Sequence, residues 1–138
     1  MLNKILLVDD DQPTNLLNTI IIERLNCCKE IVCKERGDLA IDYLQELFEK
    51  GELAPDLILL DINMPGMNGW EFLEAYDKLD QKAKAKVIIV MLTTSLSRTD
   101  SDKAKKIGIL KAFESKPLSK GKMAKILKKH FPDLELTL

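Results

Sequence analysis

The stretch LILLDINMPGMNG, residues 57–69, contains the pattern that decides the fold. It includes most of a short apolar run, Asp56–Leu60, whose length fits a buried β-strand better than a helix. Asp61 follows directly, so the strand is expected to end at an acid. Apolar residues then recur at helical spacing over Asn68–Asp80. The stretch therefore predicts a buried strand, an acid at its end, and a helix after a short loop.

The same alternation of short apolar runs and longer amphipathic segments extends over the chain. The predicted strands are Lys4–Val8, Glu30–Glu35, Asp56–Leu60, Val87–Leu92 and Lys111–Glu114. The predicted helices are Gln12–Leu25, Gly37–Lys50, Asn68–Asp80, Arg98–Ile107 and Ser119–Phe131. Apolar strands that alternate with helices imply a parallel sheet covered on both faces. Right-handed crossovers then make an α/β fold, a doubly wound (βα)5 sandwich.

Length and composition agree with one globular domain. The chain has 138 residues, of which 46% are hydrophobic and 31% charged, and this excludes a disordered protein. We expect a single domain over residues 1–138 without an output domain. Three cysteines, two of them adjacent, and a single histidine offer neither a disulfide framework nor a zinc site. Reduced thiols and an N-terminal apolar run too short for a signal peptide or a membrane span predict a cytoplasmic protein.

The formal net charge of −1 hides two opposed regions. Residues 1–97 carry 10 basic and 17 acidic side chains, whereas residues 98–130 carry 11 basic and 3 acidic ones. The basic segment includes lysines of the last two predicted helices, which are Lys103, Lys105, Lys106, Lys122, Lys125 and Lys129. They form either a solvated face or a docking surface for an acidic partner.

Polar residues follow four of the predicted strands. They are Asp9, Asp10 and Asp11 after the first strand, Asp61 after the third, Thr93, Thr94 and Ser95 after the fourth, and Ser115, Lys116 and Pro117 after the fifth. Ligands of doubly wound folds bind beyond the carboxyl ends of the strands, so these side chains are expected to meet at one edge. Each residue alone has a plainer explanation as a helix cap, a turn residue or a solvated charge.

Together these residue types point to phosphoryl chemistry. Crowded carboxylates repel one another, and a divalent cation is expected to neutralise them. Oxygen ligands favour a hard ion, Mg2+ or alternatively Mn2+. A lysine ammonium and a threonine hydroxyl can hold phosphoryl oxygens, and an aspartate can accept the phosphoryl group itself.

The residues resemble the receiver domain of two-component response regulators, the CheY-like family. ILLVDDD at residues 5–11, the stretch at residues 57–69, VIIVMLTTS at residues 87–95 and ESKPLS at residues 114–119 match its motifs in order and spacing. The resemblance covers essentially the whole chain. It implies the flavodoxin-like strand order 2-1-3-4-5 and a phosphoacceptor signalling domain that catalyses only its own phosphorylation and dephosphorylation.

The resemblance also implies a role for each matched residue. Asp61 matches the phosphorylated aspartate, Asp9 and Asp10 the metal-binding acids, and Asn63 the residue whose backbone carbonyl completes the Mg2+ site. Thr93 and Lys116 match the hydroxyl and the ammonium that hold the phosphoryl group. Phe113 matches the aromatic switch position, and the Lys116–Pro117 peptide bond matches one that is usually cis.

The implied partners are proteins. The phosphoryl donor would be a sensor histidine kinase or a histidine phosphotransfer protein. The downstream target would dock on the fourth helix, fifth strand and fifth helix, where the basic segment falls. Neither a nucleic acid nor a membrane is expected as a partner, because the basic segment lacks a recognition motif and aromatic interleaving.

Three other classes fit less well. A haloacid-dehalogenase-like phosphatase could use Asp9 and Asp11 as its Asp-x-Asp pair, but Pro13 stands where Thr or Val is expected and Asp61 would have no role. A degenerate receiver usually lacks one of the acids, the hydroxyl or the lysine. A flavodoxin-like electron carrier would need a phosphate loop after the first strand, where this chain has acids.

Overall fold

The computed structural model describes residues 1–79, 88–94, 98–106 and 110–138. Within these ranges, parallel strands form one five-stranded sheet in the order β2-β1-β3-β4-β5. The strands are β1 (Leu2–Val8), β2 (Cys28–Lys34), β3 (Leu57–Asp61), β4 (Ile88–Thr93) and β5 (Leu110–Ser115). The predicted α/β fold and its strand order are confirmed.

Helices connect the strands and cover the sheet. In the described ranges they are α1 (Gln12–Leu25), α2 (Gly37–Glu49), α3 (Gly69–Asp77), α4 (Arg98–Lys106) and α5 (Lys120–His130). Three of them begin at a capping side chain: Asp11 accepts from the Thr14 amide, Asn68 from the Glu71 amide, and Ser119 from the Lys122 amide. These oxygens satisfy amides that have no partner inside the helix.

Two apolar clusters lie on opposite faces of the sheet. The cluster on one face joins Ile5 and Leu7 of β1 to side chains of α1 and α5. The other cluster joins Leu6 and Val8 of β1 to side chains of α2 and α3. Successive strand residues point to opposite faces of the sheet. Residues 5–8 of β1 are all apolar because both faces are buried.

Several predicted element boundaries were wrong by up to three residues. β1 and β2 both begin two residues early, because Leu2 already pairs with Cys28. β3 includes Asp61, which pairs with Leu92, so the acid is the last residue of the strand. α3 ends at Asp77. The predictions for residues 80, 87, 95 and 107 lie outside the described residues.

Among the described residues the remaining boundaries moved by one residue: β3 begins at Leu57, α3 at Gly69 and β5 at Leu110, β2 ends at Lys34 and α2 at Glu49, and α5 runs from Lys120 to His130 with Ser119 and Phe131 as its caps. Similarly, β4 and β5 end at Thr93 and Ser115. In the described part of the chain, no helix combines the length and the apolar character needed to cross a membrane.

Candidate functional site

The register of the sheet brings the carboxyl ends of β1, β3, β4 and β5 to one edge. Val8 pairs with Leu60, so Asp9 follows β1 beside the end of β3. Asp61 pairs with Leu92. Thr93 pairs with Ser115, the residue before Lys116. Of the predicted strand-end residues that the structure describes, Asp9, Asp61, Thr93 and Lys116 therefore share one edge of the sheet.

Three carboxylates meet there. One oxygen from each of Asp9, Asp10 and Asp61 lies within 4.8 Å of the other two. Asp9 and Asp61 are 4% and 6% exposed, whereas Asp10 is exposed. The cluster therefore has a buried floor of two carboxylates and an opening to solvent beside Asp10.

Lys116 reaches into the cluster from the loop after β5. Its Nζ lies 2.7 Å from Asp9 Oδ2 and 3.1 Å from Asp61 Oδ1. The Lys116 amide donates to the carbonyl of Thr93 at 2.6 Å, which ties the loop to the end of β4. The Lys116–Pro117 peptide bond is cis, the isomer that the resemblance implies. The predicted acids and lysine are thus brought together although they lie far apart in sequence.

Burial and charge shift the pKa values of this group. Burial, and then the negative charge of Asp9, raise the pKa of Asp61 above its usual value, although Lys116 opposes the shift. Burial lowers the pKa of Lys116, but its bonds to Asp9 and Asp61 outweigh that cost, and its pKa is raised. Lys116 therefore stays charged, while ionisation of Asp61 carries an electrostatic cost in the fold.

The start of α1 holds the first acids in place. The Asp11 amide donates to Asp9 Oδ1 at 2.9 Å, and the Asn15 side-chain amide donates to the Asp9 carbonyl at 2.8 Å. The Asp11 carboxylate instead accepts from the amide and the hydroxyl of Thr14. Asp11 is therefore a helix cap, the plainer of its two sequence interpretations. Asn15 was missed, because nothing in the sequence distinguishes it from other polar residues of α1.

The loop after β3 depends on a glycine. A Cβ atom added to Gly69 would lie 2.7 Å from the Asp61 carbonyl oxygen and 2.9 Å from Ile62 Cα. The Gly69 amide also donates to the Ile62 carbonyl at 2.7 Å. Asn68 and Glu71 form a reciprocal capping box at the same point. The start of α3 is thus packed directly against the backbone of Asp61, an approach that only glycine permits without a shift.

The other predicted site residues are Thr93, Asn63 and Phe113. Thr93 is buried and ends β4. Asn63 is exposed two residues after Asp61. Phe113 is half-buried on β5, with its ring centroid 6.3 Å from that of Trp70, and Lys103 Nζ lies 5.1 Å from the Trp70 centroid. The carbonyl role of Asn63 and the switch roles of Thr93 and Phe113 stay predictions.

The carboxylate cluster fits a divalent cation. The three ligand atoms are oxygens, which hard cations prefer. If all three groups are ionised, Lys116 offsets one negative charge, and the two that remain equal the charge of Mg2+ or Mn2+. The exposed Asp10 would leave room for water ligands, which Mg2+ usually keeps.

Comparison with known proteins identifies the class. A sequence model of the response regulator receiver domain matches residues 5–128, so the chain belongs to that family. A two-component response regulator from Cytophaga hutchinsonii superimposes with a TM-score of 0.85 at 36% identity, over 95% of this chain and 98% of that one. The chemotaxis protein CheY4 of Vibrio cholerae superimposes with a TM-score of 0.77 at 25% identity, over 95% and 100% of the two chains. The resemblance drawn from the sequence is confirmed.

A curated relative is longer than this chain. The probable methanogenesis regulatory protein FilR2 of Methanothrix harundinacea is 34% identical over 100 residues, which cover 72% of this chain and 63% of that protein. The chain spans less than two thirds of the length of the curated relatives that it matches. That the chain is a single domain without an output domain stays a prediction.

Proposed function

We propose that the chain accepts a phosphoryl group on Asp61 from a histidine kinase or a histidine phosphotransfer protein, with Mg2+ bound at the carboxylate cluster. The observation that carries the proposal is the contact of Lys116 Nζ with both Asp9 and Asp61 beside the exposed Asp10. A receiver needs this combination of acceptor, metal ligands and cation. Reduced thiols would place the exchange in the cytoplasm, and the three cysteines are free.

In the proposed transfer, an oxygen of the Asp61 carboxylate attacks the phosphorus of the donor. An O–P bond forms, the P–N bond to the donor histidine breaks, and its electron pair goes to that nitrogen, which then takes up a proton. The charged Lys116 stabilises the negative oxygens of the transferred group. Asp9, Asp10 and Asp61, with the Asn63 carbonyl, would hold Mg2+, which supplies further positive charge for the phosphoryl oxygens.

The chain would act as a signalling domain and catalyse only the gain and loss of its own phosphoryl group. Phosphorylation adds negative charge and oxygens beside Thr93 and Lys116, which would draw the end of β4 toward Asp61. Because Phe113 lies on the neighbouring strand, the population of its ring orientations would change with it. The Phe113 ring pairs with Trp70 of α3, and Lys103 of α4 lies over the Trp70 ring. A change at Phe113 would therefore reach both helices.

The face formed by α4, β5 and α5 would carry the signal to a protein partner. Lys106, Lys125 and Lys129 are exposed on its helices, so an acidic surface is the expected complement. Lys105 was also assigned to this face, but its side chain is outside the described part of the structure. Lys-to-Glu substitutions on both helices should weaken capture of the downstream protein. Unaltered binding would argue for a merely solvated face.

Labelling with acetyl phosphate tests the phosphoacceptor. The wild-type chain with Mg2+ should gain an acid-stable, base-labile label, and removal of the metal with a chelator should abolish it. Asp61→Asn should take none, whereas Asp11→Asn, which changes the acid outside the cluster, should still be labelled. Label on Asp61→Asn equal to the wild type would reject Asp61 as the acceptor.

Beryllofluoride tests the switch. With Mg2+, it should perturb the backbone resonances of Thr93, Phe113 and Arg98–Lys106. Unchanged resonances in a chain that does accept label would reject the switch and leave the phosphoacceptor intact.

A further inference from the structure

The ammonium group of Lys122 is bound to the loop that carries Lys116. Lys122 Nζ donates to the Ser115 carbonyl at 3.0 Å, to the Ser115 hydroxyl at 3.1 Å and to the Pro117 carbonyl at 3.1 Å. An ammonium has three donors, and all three are used here. We infer that Lys122 is a positioning residue that fixes the loop on both sides of Lys116 and so sets the rate of phosphoryl transfer to Asp61.

The placement of the acceptors carries this inference. Ser115 and Pro117 flank Lys116, so Lys122 binds the residues on both sides of Lys116. The Lys116 amide is bound separately to the Thr93 carbonyl, and Leu118 is buried in the apolar cluster shared with α1 and α5. The loop would therefore stay folded without Lys122, but Lys116 would be held less closely between Asp9 and Asp61.

The position of Lys122 on α5 explains how its side chain reaches the loop. Ser119 caps the helix and accepts from the Lys122 amide at 3.1 Å, so Lys122 lies in the first turn. Its half-buried side chain extends back toward the loop, whereas Lys125, farther along the same helix, is exposed. Lys122 is thus separated in role from the lysines of the basic face with which the sequence grouped it.

The inference rests on the proposed function, because it concerns how Lys116 is aimed at the phosphoryl group. Lys122 does not contact the carboxylates, so it acts through Lys116. Hydrogen bonds from a charged donor are stronger than neutral ones, and a small misplacement of a catalytic group lowers a rate severalfold or more. Losing the three bonds should slow labelling of Asp61 about three- to tenfold.

The variants separate positioning from charge and from stability. Lys122→Met removes the donors and keeps most of the side chain, and Lys122→Arg keeps the charge and the donors. Lys128→Met, at an exposed lysine of the same helix, is the matched control. At saturating acetyl phosphate and Mg2+, Lys122→Met should be labelled about three- to tenfold more slowly. Lys122→Arg should recover most of the rate, and Lys128→Met should match the wild type.

A double substitution tests whether Lys122 acts through Lys116. In a Lys116→Met background, adding Lys122→Met should change the remaining rate by less than about twofold, because the group that it positions is gone. A full additional loss in that background would overturn the inference and indicate a general structural effect. A wild-type rate in Lys122→Met alone would overturn it as well.

Amide hydrogen exchange at Lys116 distinguishes this inference from the proposed function. Exchange there should be faster in Lys122→Met than in the wild type or in Lys128→Met, without phosphorylation. If the wild-type chain took no label, the proposed function would fail, and unchanged exchange would independently reject the anchoring of the loop.

Discussion

Gly69→Ala tests the packing that holds Asp61. The new Cβ would lie 2.7 Å from the Asp61 carbonyl oxygen and 2.9 Å from Ile62 Cα, well inside ordinary contact distance. Both atoms belong to the backbone of β3 and its exit, so relief requires the start of α3 to move away from the sheet. The substitution should therefore destabilise the fold and displace the phosphoacceptor.

The magnitude follows from two opposing effects. Overpacking a close-fitting site costs about 1–3 kcal/mol, and backbone neighbours favour the upper part of this range. Restricting the unfolded chain returns about 0.4–1 kcal/mol. The free energy of unfolding should fall by about 2 kcal/mol. An unfolding entropy of about 2.1 cal/mol/K per residue converts that loss to a decrease in Tm of about 7 °C for a chain of this length.

Urea denaturation followed by circular dichroism and by tryptophan fluorescence measures the effect. Trp70, the single tryptophan, directly follows Gly69 and reports on the start of α3. Gly121→Ala is the matched control, because among the described residues its new Cβ would have one neighbour within 4 Å, Ser119 Oγ at 3.9 Å. It should stabilise the chain by about 0.4–1 kcal/mol. Equal stability of Gly69→Ala and the wild type would refute the packing argument.

Three further outcomes are expected. Asp61→Asn should stabilise the metal-free protein at neutral pH, because burial and Asp9 raise the pKa of Asp61 in the fold. The gain should disappear as the pH falls below the pKa of this carboxyl in the unfolded chain, where it is protonated in both states. Urea titrations at a series of pH values check the direction of this change. Asp10→Asn should weaken Mg2+ binding by about tenfold, measured by calorimetry, with little change in Tm because Asp10 is exposed. Beryllofluoride with Mg2+ should change the emission of Trp70, and Phe113→Leu should remove most of that change if the aromatic pair transmits it.

The sequence predicts the carboxylate cluster because the order of strands and helices brings acids at the ends of separate strands close together. Asp9 directly follows one strand and Asp61 ends another, and the carboxyl ends of parallel strands lie at one edge of the sheet whatever the details of packing. Lys116 is brought to Asp9 in the same way, across 107 positions of sequence. Only the fold class is needed for these three residues, so their predicted proximity holds even though individual strand boundaries were wrong.

Gly69 and Lys122 show where that reasoning stops. A glycine in a loop is usually interpreted as a turn residue, and the need for a missing Cβ becomes visible only when the distance to the Asp61 backbone is known. Helical periodicity places Lys122 on a polar face, but it does not specify where a flexible side chain ends. The packing of Gly69 and the bonds of Lys122 depend on distances between separate elements, which cannot be predicted from sequence spacing.

The lysines of the basic segment fall into two groups, those bound inside the domain and those exposed to solvent. Lys116 is bound to two carboxylates, and Lys122 to two carbonyls and a hydroxyl, so both ammonium groups are used inside the domain. A partner would have to displace those bonds to recruit either charge, at a cost that exposed lysines do not carry. Lys125 and Lys129 can meet an acidic surface without such a cost. The net charge of the segment therefore overstates the charge available for docking. Substitutions at Lys122 should affect the rate of phosphorylation more strongly than they affect partner binding.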